Sequence, residues 1–492
     1  MARESSHAAP SDLAAEAARA ALADAGSSVL AKAIDTIAHV RLFADSSPLW
    51  PCEFGSSNNP PESVARRIGA PPGARYYSES GGDQPVSLLL EWAEKVSRGE
   101  SELVLLVGAE AIRNYRDALR NGDHFDWNEI FEGGEISLHD RGIGKDVAKE
   151  TEQRHGLIAP VHFYSLIEQA RCNRATPDAL EEYRTTMAEL CAGFSSVASE
   201  NPYSQFPERL TSEQILAAEP LTHLYSKRMV ARDAVNQGAA VLLTTCQKAL
   251  ELGVDQADMV FPLSGARGVD VCLSQRPEPA RSQVASEVVS TSLARASLGS
   301  GDIDLMDIYS CFPCAVSAIT DQFAQPSPAA VVPTVTGGLP FFGGPGNNYS
   351  MHAIASMTSR LRGRSGRVGL VYANGGVMSK HAAVVLTGDP ARAAASATPE
   401  FAEISPGSAV PLVEQSEGGV VLAHTVRFKQ GKPVQATVLA ETADRRRFLA
   451  TTPRGDARTI NYMLNSNPAG QRVMIERDAT AGKNLIGGWV PA

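Results

Sequence analysis

The chain has 492 residues, a net charge of −10, 43% hydrophobic and 20% charged residues. It is long enough for two or three domains with full cores, and its acidity excludes a nucleic-acid protein built on a basic patch, though not an anionic ligand held by local cations or a helix N-terminus. No run of 18 apolar residues marks a membrane span, the first 22 residues carry no continuous apolar stretch typical of a signal peptide, and seven cysteines, an odd number, fit a reduced cytoplasmic setting better than a disulfide scaffold. In chain order, residues 11–24 predict an amphipathic helix capped by Ser11. A strand is expected within 33–44 and a short helix at 61–70. Residues 85–99 predict a helix with Pro85 in its first turn and Gly99 ending it. "SELVLLVGAEA" (101–111) reads as a buried strand.

This alternation indicates an α/β sheet. Residues 112–230 are polar and helical in pattern, an insertion. Strand and helix return at 236–253, followed by a second α/β run that repeats the first in outline. "PARAAASATPE" (390–400) reads as a linker. Beyond it, "GGVVLAHTVRFKQGKPVQATVLAET" predicts a hairpin turning at Gln430-Gly431-Lys432, part of a separate β-rich tail.

Several ordered motifs resemble the thiolase superfamily. Residues 56–111 look like a thiolase nucleophile segment ending in a Gly-x-Glu turn, Gly108-Ala109-Glu110. "IYSCFP" (308–313) falls at the Asn-Glu-Ala-Phe motif, "GGLPFFGGP" (337–345) at Gly-Gly-x4-Gly-His-Pro, and "VYANGGV" (371–377) at Cys-x-Gly-Gly-Gly. "NPYSQFPERLTSEQILAAEPLTHLYSKRM" (201–229) is similar to sterol-carrier-protein-type thiolases. "NGGVMSKHAAVVL" and the β-rich tail are similar to thiolase-like protein type 1, a group often labelled acetyl-CoA acetyltransferase. The resemblance implies an α/β fold with a thiolase-type five-layered α-β-α-β-α core of two similar halves. It assigns 1–112 with 231–255 to the first half, 113–230 to the helical insertion, 256–390 to the second half, and 401–492 to an additional β-rich C-terminal domain. Thiolases open with an apolar strand before the first helix. This chain begins almost at that helix, so the expectation is a sheet lacking a central strand, with exposed hydrogen-bonding edges unless it is repaired otherwise.

Thiolase chemistry uses an acyl-carrying Cys at a helix N-terminus, a His that activates it and a second Cys that moves a proton. The alignment puts Gly82, Gly344 and Ala373 in those three slots, so none of the three side chains is expected. Substitutes are Cys311, His352, His381, Tyr309 and Tyr349. Each also has a plainer role: a small buried thiol, satisfied core histidines, packed aromatics. Cys311-Phe-Pro-Cys314 is a lone C-x-x-C without the second pair of a zinc site or a thioredoxin context. The resemblance implies no metal and no cofactor beyond an acyl-CoA thioester as substrate or ligand, a place in lipid metabolism, and a monomer or homodimer. Arg209, Lys227 and Arg228 are the candidates for the CoA phosphates. Three functions remain open: an acyl-CoA-dependent acyltransferase, an inert acyl-CoA or lipid binder, and a retro-aldolase on CoA thioesters.

Overall fold

The computed structural model describes residues 6–47, 51–133, 137–145, 148–175, 180–323, 332–395 and 400–490. The first half contains α1 (Pro10–Asp24), β1 (Thr36–His39), α2 (Pro60–Ile68), β2 (Ala74–Tyr77), α3 (Gln84–Ser97), β3 (Leu103–Ala111) and β4 (His139–Asp140). The insertion carries α4 (Pro160–Ala175) and α5 (Leu180–Glu200), and β5 (Asn236–Thr244) returns to the first sheet. The second half holds β6 (Phe261–Val269), α6 (Gln283–Arg295), β7 (Leu305–Ile308), α7 (Pro313–Thr320), α8 (Tyr349–Leu361), β8 (Val368–Gly375), β9 (Lys380–Thr387) and β10 (Glu400–Ile404). The tail contains β11 (Gly418–Lys429), β12 (Lys432–Glu441), β13 (Arg447–Thr451), α9 (Ala457–Asn465), β14 (Arg472–Asp478) and β15 (Lys483–Val490).

Local chemistry sets the helix starts. Helix α1 begins at Pro10, one residue before the expected cap. Ser11 therefore lies inside the first turn, and the Asp12 carboxylate accepts from the Ala9 N–H (2.9 Å) instead. For α2, Asn59 Oδ1 accepts from the Glu62 N–H (3.2 Å) ahead of Pro60 and Pro61.

The two sheets have orders β4-β2-β1-β3-β5 and β10-β6-β9-β8-β7. Side chains alternate across them with period two. Leu103, Leu105 and Val107 of β3 pack with Leu13 and Ala14 of α1, while Val104 and Leu106 pack on the opposite face with α3 and α8. Val86, Leu89 and Leu90 of α3 and Met351, Ile354 and Met357 of α8 fill the layer between the sheets, against Val371 and Val384 of the second. On that sheet's far side, Val284 and Val288 of α6 meet Ala266, Ala383 and Val385. The result is the expected α-β-α-β-α layering, and α3 is buried because it has a sheet on each side.

Two further expectations need correction. The first sheet is continuous through its centre, and among the described residues no strand lies on the outer side of β5. In the second sheet, β6 holds that position, antiparallel to β9. The expected linker is also not loose. Residues Pro390–Ala395 form a helix, favoured by its alanines and an initial proline, and β10 pairs in parallel with the outer edge of β6. Residues 396–399 of that stretch lie outside the described residues.

The tail folds into a closed barrel, β11-β12-β13-β15-β14. Its first hairpin turns where the sequence places it, with Gln430 and Gly431 both at positive φ (51° and 71°), the conformation that matches strand twist. The barrel seats on the insertion through Thr425–Ser165 (3.0 Å), Thr437 to the His155 carbonyl (2.7 Å), and stacked His223 and His424 rings (4.7 Å). Among the described residues, no helix is long and apolar enough to cross a membrane.

Candidate functional site

The loop before α3, the β7–α7 loop, the start of α8 and the end of β8 converge on Gly82. Its carbonyl accepts from Ser350 Oγ (2.9 Å), which ties it to α8. A Cβ built on Gly82 would stand 2.5 Å from the Tyr309 hydroxyl oxygen and 2.5 Å from the Asn374 carbonyl oxygen. The phenol thus occupies the space that any side chain at 82 would need. Asn374 Nδ2 donates to the Tyr164 hydroxyl (2.9 Å) and lies 3.8 Å from the Cys311 sulfur, and Phe312 stacks on Tyr164 with centroids 4.2 Å apart. Tyr349 packs edge-on to Tyr309 at 5.4 Å.

The structure therefore sets Tyr309 against Gly82, Tyr349 against Tyr309 and Cys311 against Asn374. Burial pushes the Cys311 thiol up to about 12, so little thiolate is available near neutral pH. Burial also raises the Tyr309 phenol well above its usual range, and the nearby Cys311 and Asp83 charges raise it further. The Tyr349 hydroxyl is committed elsewhere, bonded to Thr336 Oγ1 (2.6 Å) and donating to Asp307 Oδ1 (3.1 Å). Asp307 also accepts from the N–H groups of Val335 and Thr336, so this network holds the glycine-rich loop to β7.

The two histidines sit apart from this centre. His381 is satisfied at both nitrogens, by Tyr372 (2.8 Å) and Ser282 (3.0 Å), and Ser282 donates to Asp270 (2.5 Å). His352 packs edge-on to Phe342 at 5.2 Å, and its Nε2 has no hydrogen-bond partner among the described residues. Burial lowers both to about 3, which keeps them neutral. Ala373 lies in β8 opposite Ala382, inside the layer shared with α3 and α8. Gly344 has looser surroundings: a Cβ built on it would stand 3.4–3.5 Å from the nearest atoms of Arg232, Ala231 and Leu339, and its N–H donates to the Arg232 carbonyl (2.8 Å).

One group beside Gly82 escapes motif reading. Asp83 is buried, its Oδ2 accepts from Gln84 (2.9 Å), and its Oδ1 has no partner among the described residues. Burial raises its pKa, opposed by Lys380, whose ammonium donates to the Ser80 carbonyl (2.8 Å). An acidic residue at a helix start is commonplace, so the sequence gives it no signal.

Of the cations proposed for CoA, Lys227 and Arg228 pair with Glu219 (3.7 Å) and Glu208 (3.4 Å), and Arg209 is exposed. The structure adds an arginine cluster. The Arg232 guanidinium lies 3.4 Å from the Phe206 ring centre, and Arg113 lies 5.5 Å from the same ring. Arg232 Nη1 has no partner among the described residues. Burial, then the Arg228 and Arg113 charges, push Arg232 down to about 10. Arg113 comes from a distant part of the chain, and only the fold brings it to the ring that Arg232 faces.

Residues 401–480 match the family model for the thiolase-like protein type 1 additional C-terminal domain. An acetyl-CoA acetyltransferase of Methanocaldococcus jannaschii is 29% identical over 225 residues, 44% of this chain. The match spans about half the length of that relative, 48%. The crystal structure of a monomeric SCP2-thiolase-like protein type 1 from Mycobacterium smegmatis superposes with a TM-score of 0.78 at 30% identity, covering 99% of this chain and 96% of that one. With the five layers, the appended barrel and near-complete coverage in agreement, this chain belongs to the SCP2-thiolase-like protein type 1 family.

Proposed function

We propose that the protein binds a CoA thioester and does not transfer its acyl group through a cysteine at the thiolase position. The observation that carries this reading is the Tyr309 hydroxyl in the space of a side chain at Gly82. The nearby Cys311 thiol, held up to about 12, is a poor substitute; His352 packs on Phe342, and His381 is hydrogen-bonded to Tyr372 and Ser282. On this reading the CoA phosphates sit at Arg232, Arg228 and Arg113, where cations crowd one another and an anion relieves them, and Phe206 offers a face to the adenine.

Arg232→Ala is expected to weaken acetyl-CoA binding about 10-fold or more, measured by calorimetry, in line with the ~1.5–3 kcal/mol of a charged hydrogen bond. Incubation with a chloroacetyl-CoA analogue and peptide mass mapping is expected to leave Cys311 unlabelled. Labelled Cys311 would restore the acyltransferase reading, and failure of acetyl-CoA to bind at millimolar concentration would remove binding and transfer together.

A second reading has its own observation. Asp83, with an unpartnered oxygen, and the Tyr309 phenol adjoin the same position, as an acid–base pair for a retro-aldol cleavage requires. Tyr309→Phe is then expected to lower turnover of a β-hydroxyacyl-CoA by at least ~100-fold. Unchanged turnover takes Tyr309 out of the mechanism.

A further inference from the structure

Three histidines join the C-terminal barrel to the insertion, two of them as hydrogen-bond acceptors. His155 Nε2 accepts from the Asn484 N–H of β15 (3.0 Å), while its Nδ1 donates to the Thr151 carbonyl (2.7 Å). His223 Nδ1 accepts from the Val426 N–H of β11 (3.3 Å), while its Nε2 donates to Gln169 Oε1 on α4 (2.7 Å). His424 of β11 stacks on His223 and donates from Nε2 to the Met463 carbonyl of α9 (3.2 Å), and its Nδ1 has no partner among the described residues. The two acceptor roles exist only in a neutral ring, because an imidazolium has no lone pair and would point a second N–H at the barrel's own. The charges around the rings give a proton little shelter. Arg184 of α5 faces His223, Arg154 and Lys483 face His155, and Arg427 of β11 faces His162, a fourth histidine, buried on α4. Glu414, near His155, acts in the other sense, and Glu168 of α4 is taken up by Tyr183 (2.5 Å) and Tyr225 (2.7 Å). Burial lowers all four rings, His162 and His424 to about 4.

We propose that this contact is a pH-operated clasp: proton uptake by His155 and His223 in mildly acidic solution releases the barrel from the insertion while the two thiolase halves stay folded. Docking holds the rings neutral, and release frees them to titrate near 6.5. Docking is therefore strongest above that value and weakens as pH falls below it, by up to ~10-fold per pH unit for each ring. The barrel can leave intact, because Val421, Val438, Phe448 and Ile460 give it a core of its own. Local separation of this kind costs less than global unfolding. The clasp also bears on the site. Ser165 of α4 accepts from Thr425 of the barrel (3.0 Å), and Tyr164 beside it stacks on Phe312 and accepts from Asn374.

The test is hydrogen exchange on the full chain from pH 7.5 to pH 5, with each rate divided by that of an unstructured amide at the same pH. Protection at Val426 and Asn484 is expected to fall at least ~10-fold, while protection at 104–107 of β3 is unchanged. In the double variant His155→Gln, His223→Asn, the amide oxygens can accept the same two N–H groups and take up no proton. Its protection at 426 and 484 is expected to stay level across the range. Should the double variant misfold, His223→Asn alone is expected to hold Val426 level. Level protection at 426 and 484 in the parent overturns the proposal. An equal fall at 104–107 overturns it in favour of acid unfolding of the whole chain. A variant that loses protection as the parent does overturns it in favour of groups other than these histidines.

Discussion

Gly82→Cys, which restores a thiolase-like nucleophile in name, is expected to destabilise the protein and to gain no acyl transfer. Its Cβ would stand 2.5 Å from both the Tyr309 hydroxyl and the Asn374 carbonyl. Overpacking of this kind costs about 1–3 kcal/mol, and the upper end applies because one of the two atoms is backbone of β8 and cannot swing away. A loss of about 3 kcal/mol is more than a 100-fold shift in the folding equilibrium. Tyr309→Ala in the same chain is expected to recover only part of it, since the Asn374 carbonyl stays. Urea unfolding of the single and double variants measures the cost, and mass spectrometry after acetyl-CoA exposure reads acylation. A Gly82→Cys protein as stable as its parent and acetylated at residue 82 would show that the slot is open.

Glu110→Gln is expected to flatten the fall in stability above mildly acidic pH. Glu110 closes the Gly-x-Glu turn at the end of β3 and is buried, with Oε1 accepting from the Phe43 N–H (2.7 Å). Burial raises its pKa from 4.5 to about 8, the Phe43 N–H opposes this, and Asp45 and Asp233 add to it. Between those two values the folded state keeps a proton that the unfolded chain has lost. Stability therefore falls as pH rises from about 4.5 to about 8, by an amount on the order of 4 kcal/mol. The buried histidines act in the opposite sense. His352 and His381, lowered to about 3, and His39, lowered to about 4, lose stability as pH falls below the usual histidine range. Comparing variant with parent isolates Glu110, because glutamine keeps an acceptor for Phe43 and has no proton to lose. The two unfolding free energies should diverge between pH 5 and 8.5, with the variant the more stable at the upper end. Parallel curves would mean that Glu110 is charged in the folded protein.

The site residues show where sequence reading stops. Tyr309, Cys311 and Tyr349 lie on segments flanking recognisable turns; Tyr309 stands against Gly82, Tyr349 against Tyr309 and Cys311 against Asn374. His352 and His381 were equally plausible by spacing, since each follows a glycine-rich segment. Helix phase turns His352 toward a groove beside β5, and strand phase turns His381 toward Ser282 and Asp270. Phase of that kind is local, but the layer it faces is not.

The sequence by itself determined the alternation of helices and strands, the likeness of the two halves, the hairpin at Gln430-Gly431 and the glycine at position 82. These follow from side-chain periodicity, proline and glycine backbone preferences and the order of short motifs, all of which act over a few residues. Only the tertiary structure decided that a phenol from the β7–α7 loop fills the space at Gly82. It also decided that Arg113 and Arg232 meet at one phenylalanine, and that no strand among the described residues lies outside β5. Each depends on which distant segments the layers bring together and on how much water they exclude, and neither quantity is written in a local window of the chain.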